Sequence, residues 1–414
     1  MSTSSEDSSR PGKSKVLLLA GAKWVSTARL VLALASFDCD VELMAPKSHP
    51  AIRAGVVKRG YRYDVLRPVE SILKAIRASQ PDIVIPVDEL TVLHLEELRS
   101  AAEVSSGEDQ EAIRRLLATS GERAETTALG RSRLALLTLA AGLGVATPDT
   151  IAVSSPQELA VAVRDLGLPL ALKADATFGG RGVRLVATES EAARAWGRLH
   201  RASTFLTALR RGIVWHDWSY IREWANGTTR DVAAQRLVRG TERTAMAVAV
   251  AGELRAAVCL EVIQTAEYLG PSSVLRIVED ETMMEAIRSV AKGANVSGFC
   301  GFDFIVDEAT GTPLLIEMNL RPTQLAHLPL GPGRDLVAAY LRGMLGLNVE
   351  DRPAATAQDL IALFPQELLR DADSEWTLKA YHDVPWDVPE LVREALDRNV
   401  PEVIAADKRY GARG

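Results

Sequence analysis

Cysteine is scarce in this 414-residue chain: Cys39, Cys259 and Cys300 are far apart and form no C-x-x-C pair. An odd, sparse count excludes a secreted disulfide framework and points to a reducing, cytoplasmic setting. Zinc-like Cys/His spacing is missing too, and the six histidines (49, 94, 200, 216, 327 and 382) form no metal-like cluster. Aromatic residues reach only 5%. No apolar run approaches the ~18 residues of a membrane span. Residues 16–22 follow Lys13 and Lys15 and loosely mimic a signal peptide, but the run stops at Lys23, and Glu6 and Asp7 spoil a basic start. A buried first strand fits better. Long basic runs are absent, and 48 basic against 54 acidic residues leave a net charge of −6, which disfavours duplex nucleic acid as a partner.

What is present is ordinary for a globular protein: 47% apolar and 25% charged residues. At ~150 residues per domain the length suggests two to three domains. The Ser-rich residues 1–14 read as a disordered tail. Strands are predicted at 16–20, 41–45 and 82–87, and helices at 24–37 and from Pro68 to Ser79. This alternation predicts a parallel α/β domain over 15–120. A helical region from Thr91 to Leu143, interrupted near 105–110, provides a linker over 121–143. From Gly144 the expected strands (170–174, 183–186, 246–250 and 254–259, with a turn at Ala251-Gly252-Glu253) are paired, so 144–345 reads as a two-lobed α+β domain. Its lobes are placed at about 144–215 and 216–345. Residues 346–414, with scattered prolines, read as a wrapped C-terminal extension.

The strongest local signal is Gly301-Phe302-Asp303-Phe304-Ile305-Val306, followed by Leu314-Leu315-Ile316-Glu317-Met318-Asn319-Leu320-Arg321-Pro322, with hairpin-loop chemistry around Gly311 between them. Placing Asp303 opposite Glu317 puts Phe302, Phe304 and Val306 against Met318, Ile316 and Leu314, an apolar face. The other face carries Asp303, Glu317, Asn319 and Arg321. Directly opposed carboxylates repel unless a cation sits between them. Mg²⁺ supplies that charge and prefers oxygen ligands, and Asn319 adds a neutral oxygen ~7 Å further along. Arg321 adds a permanent cation for an anionic substrate. A solvated polar hairpin face is the plain alternative.

A second signal is Lys173-Ala174-Asp175-Ala176-Thr177-Phe178-Gly179-Gly180-Arg181-Gly182-Val183. Glycines let backbone N–H groups approach a phosphate, and Lys173 can reach one. The run is neither a Walker A loop nor a dinucleotide fingerprint. Alone it reads equally well as a hairpin turn.

In this order, the two signals resemble the ATP-grasp superfamily, in particular its branch of carbamoyl phosphate synthase large subunit and biotin carboxylase. By motif the resemblance covers roughly residues 130–324. It implies an N-terminal Rossmann-like domain before a two-lobed ATP-grasp domain. It also implies phosphate contacts from Lys173, Gly179, Gly180 and Gly182, metal binding by Asp303, Glu317 and Asn319, and a catalytic role for Arg321 with Asn319. The family carries a further lysine ahead of the Gly144-Val145 that opens the domain; Arg133 takes that place, keeping the charge but changing its shape. The adenine hinge is similar to Tyr220-Ile221-Arg222-Glu223-Trp224-Ala225-Asn226-Gly227, so Glu223, Trp224 and Ala225 are carried over. Arg230, beside Asp231, departs from the acidic residue often found near the ribose.

The implied activity is an ADP-forming, ATP-dependent carboxylate–amine ligase. It would act on amino-acid-like molecules through an acylphosphate, with ATP and Mg²⁺ (Mn²⁺ as a substitute). Its partners would be the small-molecule carboxylate and amine, with no nucleic acid or membrane and a homodimer left open. A carboxyphosphate-forming carboxylase and a non-catalytic nucleotide-binding protein are the alternatives; a nicotinamide oxidoreductase ranks last. Four other features have plain uses beside functional ones. Asp88 or Glu89 could recognise substrate or cap a helix, Arg276 could clamp a carboxylate or lie on the surface, and His327 could face substrate or start a helix. The stretch Trp215-His216-Asp217-Trp218 reads as packing beside the hinge.

Overall fold

The computed structural model describes residues 13–104, 106–175, 182–201, 230–267 and 270–396. It opens with β1 (Lys15–Leu19), α1 (Val25–Ala35), β2 (Asp40–Ala45), β3 (Arg59–Arg62), α2 (Pro68–Ser79) and β4 (Ile83–Pro86). The strands form a parallel sheet in the order β3-β2-β1-β4. Apolar residues of β1, β2 and β4 are buried on both faces, as a parallel sheet covered by helices requires. The edge strand β3 has no apolar pattern and was not expected; it is held by its ladder to β2 and by the Tyr61 hydroxyl, which donates to Glu42 at 2.6 Å.

Helices α3 (Glu89–Glu103), α4 (Glu108–Thr119), α5 (Ala124–Arg131) and α6 (Arg133–Gly142) lead out of this sheet. Gly121, at φ +89°, makes the turn from α4, and a Cβ there would lie 2.4 Å from the Ser297 carbonyl oxygen. The close approach fastens the helical linker to the larger domain. Thr126 does the same by donating to the Ala294 carbonyl at 2.8 Å.

A four-stranded antiparallel sheet follows, in the order β5-β8-β6-β7. It comprises β5 (Thr150–Ala152), β6 (Leu170–Ala174), β7 (Val183–Val186) and β8 (Val232–Arg236), with α7 (Pro156–Leu166) and α8 (Glu189–Leu199) packed on it. The central sheet is built on β9 (Gly240–Val250), β10 (Glu253–Thr265), β11 (Ser272–Val278), β12 (Gly298–Asp307) and β13 (Pro313–Asn319). One face packs on α6 and α9 (Glu281–Gly293), burying Phe302, Phe304, Leu315 and Met318. The other packs on α10 (Leu336–Leu345) and shares a core with α1. The C-terminal segment adds β14 (Leu360–Ala362) and β15 (Tyr381–His382) to this sheet, completing the order β13-β12-β9-β10-β11-β14-β15. No helix among the described residues is long and apolar enough to cross a membrane.

Between the N-terminal and central sheets lies a partly open pocket lined by residues that include Glu122, Tyr340 and Phe299. Burial pushes the Glu122 carboxyl up to about 7, against the pull of Arg99. Because the folded value exceeds the unfolded one, this group's contribution to stability is greatest below the unfolded value and declines as pH rises towards 7. Glu122→Gln should therefore stabilise the fold by roughly 1–3 kcal/mol at pH 8 and have little effect near pH 4. Urea titrations at both pH values check this; an equal effect at both would contradict it.

Candidate active site

The β12–β13 hairpin carries the acidic face. Gly301 pairs with Asn319, Phe302 with Met318 and Asp303 with Glu317, as expected. Beyond Asp303 the register shifts by one, and Phe304 pairs with Leu315 rather than Ile316. This bulge corrects the predicted apolar face: Leu315 joins Phe302, Phe304 and Met318 in the core, while Ile316, Leu314 and Val306 are only partly buried. The functional end keeps its register.

Burial and the facing Glu317 push the Asp303 carboxyl up to about 6, while the Thr244 hydroxyl on β9 pulls it back. The Asn319 amide donates to Asp303 at 3.1 Å. Lys173 lies on β6, paired with Val183 and Ala233. Burial, then the like charge of Arg133, lowers its ammonium to about 8, although Glu317, Asp303 and Glu242 favour the charged form. Lysine and carboxylates thus lie within electrostatic reach across the gap between two sheets. Gly182, next to Val183, accepts from the Ala174 N–H at 2.9 Å and continues the β6–β7 ladder.

Arg133 begins α6, whose N-cap Ser132 accepts from Ala135 N–H at 3.3 Å. Its guanidinium donates to the Ala174 carbonyl at 2.8 Å, to Asp175 at 3.4 Å and to Glu317 at 3.2 Å, joining the helix to both sheets. Its Nε is buried without a hydrogen-bond partner among the described residues. Arg321, just past β13, ion-pairs with Glu89 of α3 and donates to the Pro322 carbonyl at 3.2 Å. Glu89, Arg133, Glu317, Asn319 and Arg321 line one open cleft of about 670 Å³.

Gly179, Gly180, Glu223, Trp224 and Ala225, and the Trp215–Trp218 stretch, lie outside the described residues. Asp88 is a helix cap: it accepts from Thr91 N–H at 2.9 Å, and also from Gly21 and Ala22 N–H at 2.6 and 2.9 Å. Arg276 pairs with Glu261 at 3.3 Å and is half exposed. His327 neither starts a helix nor lines the cleft; it is buried at 2.7 Å from Asp383. Sequence reasoning missed Asp175, Thr244 and Glu242. Asp175 follows Lys173 by two positions, and Thr244 and Glu242 lie on a strand whose polar start gave no sign that it would pair with β12.

Residues 133–329 match the family described as carbamoyl-phosphate synthase L chain, ATP binding domain. This segment is an ATP-grasp domain. No curated protein sequence matches the chain. Among solved structures, the chain is similar to the biotin carboxylase domain of Hydrogenobacter thermophilus 2-oxoglutarate carboxylase. That likeness has a TM-score of 0.60 at 15% identity, over 81% of this chain and 71% of that one. N5-carboxyaminoimidazole ribonucleotide synthetase from Thermus thermophilus gives 0.55 at 19%, over 82% and 80%. Phosphoribosylamine–glycine ligase from Thermotoga maritima gives 0.55 at 18%, over 82% and 78%. At these identities the likeness is one of fold. Among the described residues no three His, Cys, Asp or Glu side chains gather as a metal site; the acidic face of the ATP-grasp domain offers two carboxylates and one carboxamide.

Proposed function

We propose that the chain is an ADP-forming, ATP-dependent ligase that joins a carboxylate to an amine through an acylphosphate, with amino-acid-like substrates. The observation that carries this reading is that Lys173 and Arg133 lie within electrostatic reach of the opposed Asp303 and Glu317, beside a cleft lined by Arg133, Glu317 and Arg321. We take 15–120 as the domain preceding the ATP-grasp domain at 144–345, and 346–414 as an extension.

The donor set fits a hard divalent cation. Two carboxylates and the Asn319 oxygen suit the all-oxygen preference of Mg²⁺. The raised Asp303 value reports burial and a facing like charge that a cation would relieve. Bound Mg²⁺ would neutralise charge on the ATP phosphates. Lys173 then serves as a phosphate ligand, and the Nε of Arg133, which has no partner among the described residues, is a further donor to the phosphates. Arg321 holds the reacting carboxylate. A carboxylate oxygen attacks the γ-phosphorus and ADP leaves; the amine next attacks the acyl carbon and phosphate leaves. The work is electrostatic, so no side-chain nucleophile is needed.

A carboxyphosphate-forming carboxylase is the second reading, favoured by structural neighbours that include a biotin carboxylase domain solved with bicarbonate. An ADP- and phosphate-release screen with ATP, Mg²⁺ and pairs of carboxylates and amines, alongside bicarbonate, tests both. Release that requires a carboxylate–amine pair supports the ligase. Release with bicarbonate alone supports the carboxylase, and none with any addition leaves a nucleotide-binding protein.

Lys173→Ala should weaken ATP binding by about 1.5–3 kcal/mol, the loss of one charged hydrogen bond in a buried place. Calorimetric titration of the variant checks it; unchanged affinity would remove Lys173 from the phosphate site.

A further inference from the structure

We propose that the Glu89–Arg321 pair is a clamp for an α-amino acid with an apolar side chain, a proposal that rests on the ligase reading and names its acyl donor. Glu89 lies on the N-terminal side, outside residues 133–329, yet it reaches the last charged residue of the acidic face. Its carboxylate has no capping work to do. Asp88 and Thr91 form the capping box of α3, and Asp88 also satisfies the Gly21 and Ala22 N–H groups that a ligand anion would otherwise take. The Glu89 and Arg321 side chains remain 29% and 24% exposed, both facing the cleft.

An ion pair in contact offers a positive and a negative charge side by side. An α-amino acid carries its ammonium and carboxylate one carbon apart, so it can lie antiparallel along the pair, carboxylate on Arg321 and ammonium on Glu89. The chain's own pair need not separate. A simple carboxylate would bring its charge towards Glu89 with nothing to offset it. An ω-amino acid would carry its ammonium too far away. Bicarbonate has no use for an acid beside the arginine. Val92, Leu93, Leu129, Leu136 and Leu320 make much of the remaining wall aliphatic, beside Thr127 and Arg131, and suit an apolar side chain. In the reaction a carboxylate oxygen of this amino acid bonds to the γ-phosphorus as the bond to ADP breaks. The second substrate's amine then bonds to the acyl carbon, releasing phosphate and a proton.

L-Leucine, 4-methylpentanoate (leucine without its amino group) and 6-aminohexanoate (an isomer of leucine) separate these chemistries. Binding of each is measured by calorimetry in the presence of Mg²⁺ and a non-hydrolysable ATP analogue, with valine, methionine and phenylalanine as further α-amino acids. The same titrations are run on Glu89→Gln and Glu89→Asp. Wild type should bind at least one apolar α-amino acid roughly tenfold or more tighter than its des-amino or ω-amino counterpart, the size of one charged hydrogen bond. Glu89→Gln should erase that preference while keeping analogue affinity and melting temperature, and Glu89→Asp should restore part of it. Absence of that preference for every α-amino acid tested, no binding of any α-amino acid, or loss of all ligands together with a lowered melting temperature would each overturn the clamp. ADP release with other carboxylates would then leave the ligase reading standing. A Glu89-dependent preference for α-amino acids without ADP release from any pair would keep the clamp and sink the ligase.

Discussion

Glu317→Gln should lower substrate-dependent ADP release by roughly 10²–10³ while changing ATP affinity far less. The substitution nearly preserves shape and removes one of two opposed carboxylates. Charge on the phosphates moves most in the transition state, so a cation held there acts mainly on rate rather than on binding. The register that faces Glu317 with Asp303 should survive, because it is fixed by the hairpin and by the apolar neighbours Phe302 and Met318. Arg133 would lose one of its two charged partners, at 3.2 Å, but keep Asp175 and the Ala174 carbonyl. ADP-release rates alongside ATP titrations give the answer. Parallel losses in both would mean that Glu317 only supports the cleft.

Arg321→Ala should leave ATP affinity nearly intact and remove carboxylate-dependent ADP release by a factor of about 10² or more. Its guanidinium is paired with Glu89 of the N-terminal side, which suits the proposed role of holding the acyl group rather than the nucleotide. Arg321→Lys should recover only part of the rate, since a point charge cannot reproduce a planar fork on a carboxylate. Rates and KM for the carboxylate separate the two roles. A variant that binds ATP poorly, or one that turns over normally, would contradict the assignment.

The acidic hairpin was legible because both periodicities agree. Alternation along two strands gathers the carboxylates, and the short loop, with Gly311 at φ +69° and Asp307 accepting from Ala309 N–H at 2.8 Å, fixes the pairing. The bulge was not legible, because Leu315 and Ile316 are equally apolar and only packing against α6 and α9 chooses between them. Lys173 was singled out by its place before a glycine run, and the structure sets it within reach of the acidic face. The tether of Arg133 to Asp175 was hidden by a separation of 42 positions along the chain. The start of β9 is exposed and polar, and the last residues of β10 are only partly buried and mixed in polarity, so only 246–250 and 254–259 read as strands. β14 and β15 gave no signal at all: three and two residues long, they are strands only because the sheet edge supplies a ladder. Charges that meet across domains, Glu89 with Arg321 above all, cannot be paired from a linear pattern.

The most direct test of the central claim follows an oxygen atom. A carboxylate substrate labelled with ¹⁸O in its carboxyl group is turned over with ATP, Mg²⁺ and an amine, and the released inorganic phosphate is analysed by mass spectrometry. An acylphosphate requires a carboxyl oxygen to bond to the γ-phosphorus and to leave with it, so the phosphate should carry one ¹⁸O per amide formed. Amide formation with unlabelled phosphate would contradict the account.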